Sequence, residues 1–156
     1  MSTAMWLIAF YVVIDIVVVV AGSIAIGAAA PRWPRHWLEA DRGPLRLTRL
    51  DAPAAYRRIR IASLTRRLPE LGGAFGGESK RRLPGTDPSS IESYLVEVRR
   101  AEWVHWGSCL TIVLIAIFNP WWLTLAFAGV VLGVNGAFIL VLRHNRTRLL
   151  RILKRG

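Results

Sequence analysis

Cysteine is nearly absent from this chain. Cys109 is the only one in 156 residues, which excludes a disulfide within the chain and any zinc site built on cysteine. Acidic charge is scarce as well, 10 Asp and Glu against 21 Lys and Arg, for a formal net charge of +11. The 36 residues from Gly107 to Leu142 carry no charge at all. No basic region precedes the first apolar stretch, which argues against a cleaved secretory signal. There is no GxxxxGK[ST] phosphate loop and no internal repeat.

More than half of the chain is hydrophobic (53%), and its mean hydropathy is +0.37. A soluble basic domain is rarely so apolar, so the composition points to a membrane protein with basic flanks. The placement of the charge agrees. Fifteen Lys and Arg fall between Arg32 and Arg100 and six between Arg143 and Arg155, with none in the apolar stretches. That is a topology pattern rather than a nucleic-acid face.

The expected architecture is all-α: a single integral membrane domain over 1–156 with three transmembrane helices at about 5–30, 103–119 and 120–142. A cytoplasmic segment, 31–102, separates the first two, and a cytoplasmic tail, 143–156, closes the chain. Positive charge after the first span and after the last places the N-terminus outside and the C-terminus in the cytoplasm of a multi-pass cell-membrane protein. Pro31 to Trp37 reads as an interfacial belt. Ala54 to Leu68, with Tyr56, Ile59, Leu64 and Leu68 near one face, predicts a basic amphipathic helix on an anionic leaflet. The glycine-rich run Leu71 to Lys80 reads as a linker, or as a loop whose amides approach a phosphate. Gly129, Gly133 and Gly136 suggest close helix packing and leave a homo-oligomer open. In the tail, Leu149, Leu150, Ile152 and Leu153 are expected to face lipid.

Asp87-Pro88 is an N-cap followed by proline at the first helical position. It predicts a helix that starts in water and enters the bilayer near Arg99-Arg100-Ala101-Glu102-Trp103-Val104-His105-Trp106. Asn119-Pro120 breaks the apolar run, predicting an outside hairpin turn. Asp15 within the first span is a functional candidate by default, or else an acid neutralised by a neighbouring helix or lying near the outer interface.

Glu102 and His105 are three apart and therefore neighbours on a helix. A carboxylate beside an imidazole orients the ring and raises its basicity, as a general base requires. Trp103 and Trp106 would shield them from water. Two other readings stand beside this one: an Arg99–Glu102 ion pair with a snorkelling histidine, and a carboxylate-bridged metal. The metal reading needs a second Glu-x-x-His, which the chain lacks.

The chain resembles a family through Arg100-Ala101-Glu102-x-x-His105-Trp106, Phe118-Asn119, Asn135, and the tail Arg143-x-Asn145-Arg146-x-Arg148-Leu149 with Leu150 to Gly156. The match runs more loosely through Leu68-Pro69-Glu70 to Lys80. These pieces resemble the glycosyl-4,4'-diaponeurosporenoate acyltransferases, small membrane enzymes of staphyloxanthin-type carotenoid biosynthesis. The resemblance implies a membrane acyltransferase that esterifies a sugar hydroxyl of a glycosylated lipid, a carotenoid glycoside or similar, with a fatty acyl group. His105, oriented by Glu102, would take the hydroxyl proton. Arg99, Arg100, Trp106, Arg143, Asn145, Arg146 and Arg148 would form the substrate side, with Arg143, Arg146 and Arg148 on the phosphates of an acyl thioester such as acyl-CoA. Lipid anchoring is the competing reading of the tail.

Asn119 is expected as a turn residue and Asn135 as a packing hydrogen bond. The His-x-x-x-x-Asp acyltransferase pattern is absent, because Leu110 stands five after His105. The expected partners are membrane lipid, the glycolipid acceptor and the acyl donor, with no nucleic acid, no metal and no tightly bound cofactor. The alternative from another class is a non-catalytic scaffold or a lipid- or pigment-binding partner of a lipid-modifying enzyme.

Overall fold

The computed structural model describes residues 2–67 and 87–155. The glycine-rich run Leu71 to Lys80 and its phosphate reading lie outside the described residues. Among those residues every regular element is helical. Helix α1 spans Thr3–Ala29. Single 3-10 turns follow at Ala30–Arg32, Arg35–Trp37, Gly43–Leu45 and Arg49–Asp51. Two short helices come next, α2 at Pro53–Arg58 and α3 at Ile61–Arg67. Then α4 spans Pro88–Cys109, α5 Thr111–Ala116 and α6 Trp121–Leu153.

Among the described residues two helices, not three, are long and apolar enough to cross a membrane: the first, counted on to Arg32, and α6. The middle leg starts as its sequence predicts. Asp87 Oδ2 accepts from the Ser90 amide at 2.9 Å, and Pro88 stands in the first turn. It is interrupted at Leu110, which divides its apolar part between the end of α4 and the short α5. At that point the Leu110 amide bonds back to Gly107 O at 2.9 Å, and Thr111 Oγ1 donates to Ser108 O at 2.7 Å. A hydroxyl that takes a helix carbonyl, together with a tightened i→i−3 bond, ends the regular α-helical ladder.

Pairwise contacts set the helix directions. Asp15 meets Asn119, Gly22 faces Thr111 and Ile26 faces Gly107, so α1 runs antiparallel to α4–α5. His105 meets Asn135, and Ile91, Tyr94 and Leu95 share a core with Leu149. Hence α6 is antiparallel to α4 and runs in the same direction as α1. The turn at Asn119-Pro120 closes the α5–α6 hairpin, as expected from Pro120, whose extended backbone precedes α6. The twelve residues of α1 before Asp15 project about 18 Å past that turn, with Trp6 and Phe10 exposed.

Three packing expectations change. The tail is one continuous helix with the preceding span, and Leu149 turns toward α4 rather than lipid. It joins Ile91, Tyr94, Leu95, Val98 and Leu142, with Leu150 and Leu153 packed against them and Ile152 exposed. The reason is legible in α4, whose apolar residues recur at i, i+3, i+4 and i+7 from Ile91 and present a stripe for a partner helix. Each full burial of such a side chain is worth roughly 1.5–3 kcal/mol.

The described part of the basic segment, Ala54 to Arg67, is two helices bent at Arg60, whose φ is +51°, and Leu68 lies outside the described residues. That bend breaks the predicted face. Tyr56 and Ile61 pack against Val141 of α6, while Ile59 is 52% exposed. The glycines in close contact are Gly22 and Gly107, not Gly129, Gly133 and Gly136. A Cβ on Gly22 would stand 2.9 Å from Thr111 Cγ2 and one on Gly107 3.2 Å from Ile26 Cγ2. At the other three a Cβ would meet nothing within 4 Å among the described residues.

Candidate functional site

The polar residues of the hairpin occupy two levels. At the first, three acids and three arginines from distant parts of the chain close into one network. Glu102 of α4 is fully buried, and Arg143 Nε donates to its Oε1 at 2.9 Å. Its Oε2 lies 2.9 Å from Nη1 of Arg146, itself 0% exposed. Arg143 also bonds both oxygens of Asp51, at 3.2 and 3.0 Å, and the carbonyls of Pro44 and Arg46, both at 2.8 Å. Arg146 donates to Leu45 O. Arg99 Nε pairs with Asp41 Oδ1 at 2.8 Å, and its Nη1 reaches Leu38 O at 3.3 Å.

The segment from Leu38 to Asp51 is thereby latched onto α4 and α6. Guanidinium groups suit this because each carries five donors in a planar fork, enough for carboxylates and carbonyls together. Local chemistry shapes the acid side of the latch. Thr48 and Asp51 form a capping box around the last 3-10 turn, and Tyr56 Oη donates to Asp51 Oδ1 at 2.7 Å. Burial alone would raise the Asp51 carboxyl. The Thr48 amide, the Tyr56 hydroxyl and the Arg143 guanidinium outweigh it and hold the group below the usual carboxylate range. Burial, and then its bond to that carboxylate, push the Tyr56 hydroxyl upward.

At the second level, one turn along α4, His105 Nδ1 lies 2.9 Å from Asn135 Oδ1. Asn135 Nδ2 donates to Val131 O at 2.9 Å. That bond orients the amide, so the oxygen facing the ring is an acceptor and Nδ1 is the protonated nitrogen. Nε2 is then the basic one. The Phe138 ring stacks on the imidazole, with centroids 4.6 Å apart and planes at 7°.

The expected site residues therefore separate. Glu102 serves Arg143 and Arg146, and the residue that orients His105 is Asn135, which was expected only to pack. The Arg99–Glu102 pair is likewise replaced by Arg99–Asp41. Spacing along one helix made these pairings available, but carboxylates and guanidiniums across the bundle compete for the same groups and supply more bonds. Arg100 pairs with Glu97 on its own helix.

Arg143 and Arg146 are neutralised by internal acids, which takes them out of the set that would meet phosphates. Arg148 remains exposed, Asn145 is partly buried beside the network, and Trp106 is 37% exposed one turn after Glu102. Asp15 is fully buried and accepts from Asn119 Nδ2 at 2.6 Å, so Asn119 holds an intrahelical acid as well as ending the turn. Among the described residues no group of His, Cys, Asp and Glu could hold a metal ion.

Sequence comparison adds a relationship to this geometry. The family model for glycosyl-4,4'-diaponeurosporenoate acyltransferase matches residues 34–155. The chain is 36% identical over 81 residues to the glycosyl-4,4'-diaponeurosporenoate acyltransferases of Staphylococcus aureus strains N315 and USA300. Each alignment covers 49% of this chain and 47% of the relative, so the chain matches about half the length of these curated relatives. No solved structure matches.

Proposed function

The chain belongs to the glycosyl-4,4'-diaponeurosporenoate acyltransferase family, and from that premise we propose that it transfers a fatty acyl group to a sugar hydroxyl of a glycosylated lipid at a membrane surface. The observation that carries the chemistry is the His105–Asn135 pair, a histidine in a defined tautomer with its Nε2 basic. In this reading the acceptor hydroxyl oxygen attacks the carbonyl carbon of an acyl thioester such as acyl-CoA, and its proton passes to His105 Nε2. The tetrahedral intermediate then expels the thiolate, which recovers the proton from His105, leaving an ester and a thiol. A positioned general base contributes roughly 10²–10⁴-fold, and an orienting partner on Nδ1 is what keeps the correct nitrogen basic.

Phe138 excludes water from one face of the ring. Glu102 acts at a distance, by fixing α4 against α6 so that His105 and Asn135 stay in register. In the bilayer, α1 and α6 cross in the same sense, N-terminus outside and C-terminus cytoplasmic, and α4–α5 supplies the return leg. From Trp103 to Asn119 that leg measures about 25 Å, shorter than a roughly 30 Å core. The apolar residues of α1 before Asp15 continue past its turn, so the Asn119–Asp15 pair lies within the core. The Arg99–Glu102–Arg143 level then lies at the cytoplasmic boundary, where positive residues are favoured.

The test is mass spectrometry of lipid extracts from cells with the protein, without it, and with His105→Ala. A glycolipid that gains an acyl mass only with the intact protein supports the reading and identifies the acceptor. The same product from His105→Ala refutes the base, and an unchanged glycolipid profile refutes the transferase.

A further inference from the structure

Beside the charge network, a cleft of about 690 Å³ opens between α2–α3 and the last turns of α6. Arg57 of α2, Arg60 of the bend, and Arg148 and Arg151 of α6 all line it. No carboxylate is among its lining residues as described. The contrast with the adjacent network is sharp. There, three arginines meet three acids and donate inward to carbonyls. Here four exposed guanidiniums from three pieces of chain share one concavity with no counter-charge among its described lining residues.

A basic face on a helix is ordinarily a solvated surface, but two further features separate this one from that case. Arg60 is the single non-glycine residue among those described with left-handed backbone, φ +51°. That conformation is unfavourable for a residue with a Cβ and tends to persist where a site requires it. The second feature is His144, a lining residue whose ring meets Tyr56 edge-on with centroids 4.8 Å apart. Its Nδ1 is buried and has no hydrogen-bond partner among the described residues. A concave cluster of planar cations with an unmet ring nitrogen beside it suits an oxyanion with several acceptor atoms.

We propose that this cleft is a binding site for a phosphate-bearing ligand, a phosphomonoester or diphosphate held by Arg57, Arg60, Arg148 and Arg151. The same chemistry has two sources: the phosphates of a water-soluble thioester carrier, or the headgroup of an anionic lipid. Arg148 is thirteen residues along α6 from Asn135, about 20 Å, a separation comparable to an extended pantetheine arm. That link to the acyl donor rests on the transferase reading, whereas the anion site does not.

The experiment uses the full chain in nanodiscs. Coenzyme A is titrated in zwitterionic phosphatidylcholine discs by calorimetry. In a second arm, phosphatidylglycerol retained by the protein is counted by native mass spectrometry. The cleft pair Arg57→Gln with Arg148→Gln is compared with a control of equal charge, Arg42→Gln with Arg49→Gln, after melting curves confirm that both are folded.

A loss of about tenfold or more in coenzyme A affinity for the cleft pair, with the control near wild type, supports the site with a soluble source. Loss of retained phosphatidylglycerol in the cleft pair alone supports it with a lipid source. Equal effects of the two pairs in both arms, or no effect in either, overturn it. Cleft-dependent binding in a protein that makes no ester refutes the transferase and leaves the cleft standing. Ester made at the wild-type rate by a cleft pair that binds normally refutes the cleft alone.

Discussion

Replacing Glu102 by glutamine separates a structural carboxylate from a catalytic one. The change keeps the size of the side chain and removes its charge. It leaves Arg146, which is 0% exposed, with Asp41 Oδ1 at 3.7 Å as its nearest remaining acid. An amide N–H₂ also faces one guanidinium, donor against donor. Removing one partner of a buried ion pair costs about 3–5 kcal/mol, most of it the penalty on the charge left behind. For a chain of this length each kcal/mol moves the melting temperature by about 2–4 °C, so Glu102→Gln should melt about 6–20 °C below wild type. The assay is thermal unfolding of the detergent-solubilised protein by circular dichroism. His105→Ala loses one hydrogen bond and a stacked ring at a partly buried site, and should fall between the two. Combining Glu102→Met with Arg146→Met should recover part of the loss, since an apolar replacement leaves neither charge stranded. A Glu102→Gln protein that melts within about 2 °C of wild type and has lost its activity would refute this reasoning and return the carboxylate to a direct role beside His105.

Asn135→Ala should lower kcat by about 10²–10⁴-fold and alter the pH–rate profile, because the His105 tautomer is no longer held; an unchanged profile would make Asn135 a packing residue. Gly22→Ala should destabilise the α1 contact by about 1–3 kcal/mol, because its Cβ would stand 2.9 Å from Thr111 Cγ2. Gly133→Ala, with open space around it, should stay within about 1 kcal/mol of wild type; melting curves of the two decide, and the reverse order would refute the packing. Asp51 has a depressed carboxyl, so its contribution to stability is complete above about pH 4 and is lost as pH falls through its lowered folded value. Asp51→Asn should therefore flatten the acid limb of a stability-versus-pH curve, and an identical limb in both proteins would refute the coupling.

Much of the framework was legible in the chain. The Asp87-Pro88 start of α4, the Asn119-Pro120 turn and the apolar lengths of α1 and α6 follow from side chains acting on their own backbone or on a solvent. The His105–Asn135 pairing was within reach too. The two residues stand almost equally far from Asn119-Pro120, and an antiparallel hairpin with its turn there sets them opposite one another. Likewise, the stripe from Ile91 to Val98 already called for a partner that the leucines of the tail could provide.

What the sequence determined by itself, then, was an all-helical, apolar chain with basic flanks and the positions of its caps and turns, because those depend on near neighbours and on composition. Only the tertiary structure decided which acid neutralises which arginine, that Glu102 belongs to Arg143 and Arg146, and that Gly22 rather than Gly133 is the tight contact. Arg99, Arg143 and Arg146 each had several acids within the same chain, separated by tens of residues. Local spacing ranks such partners equally. The choice falls to the fold, where distance, burial and the number of donors each guanidinium can satisfy at once differ from one pairing to the next.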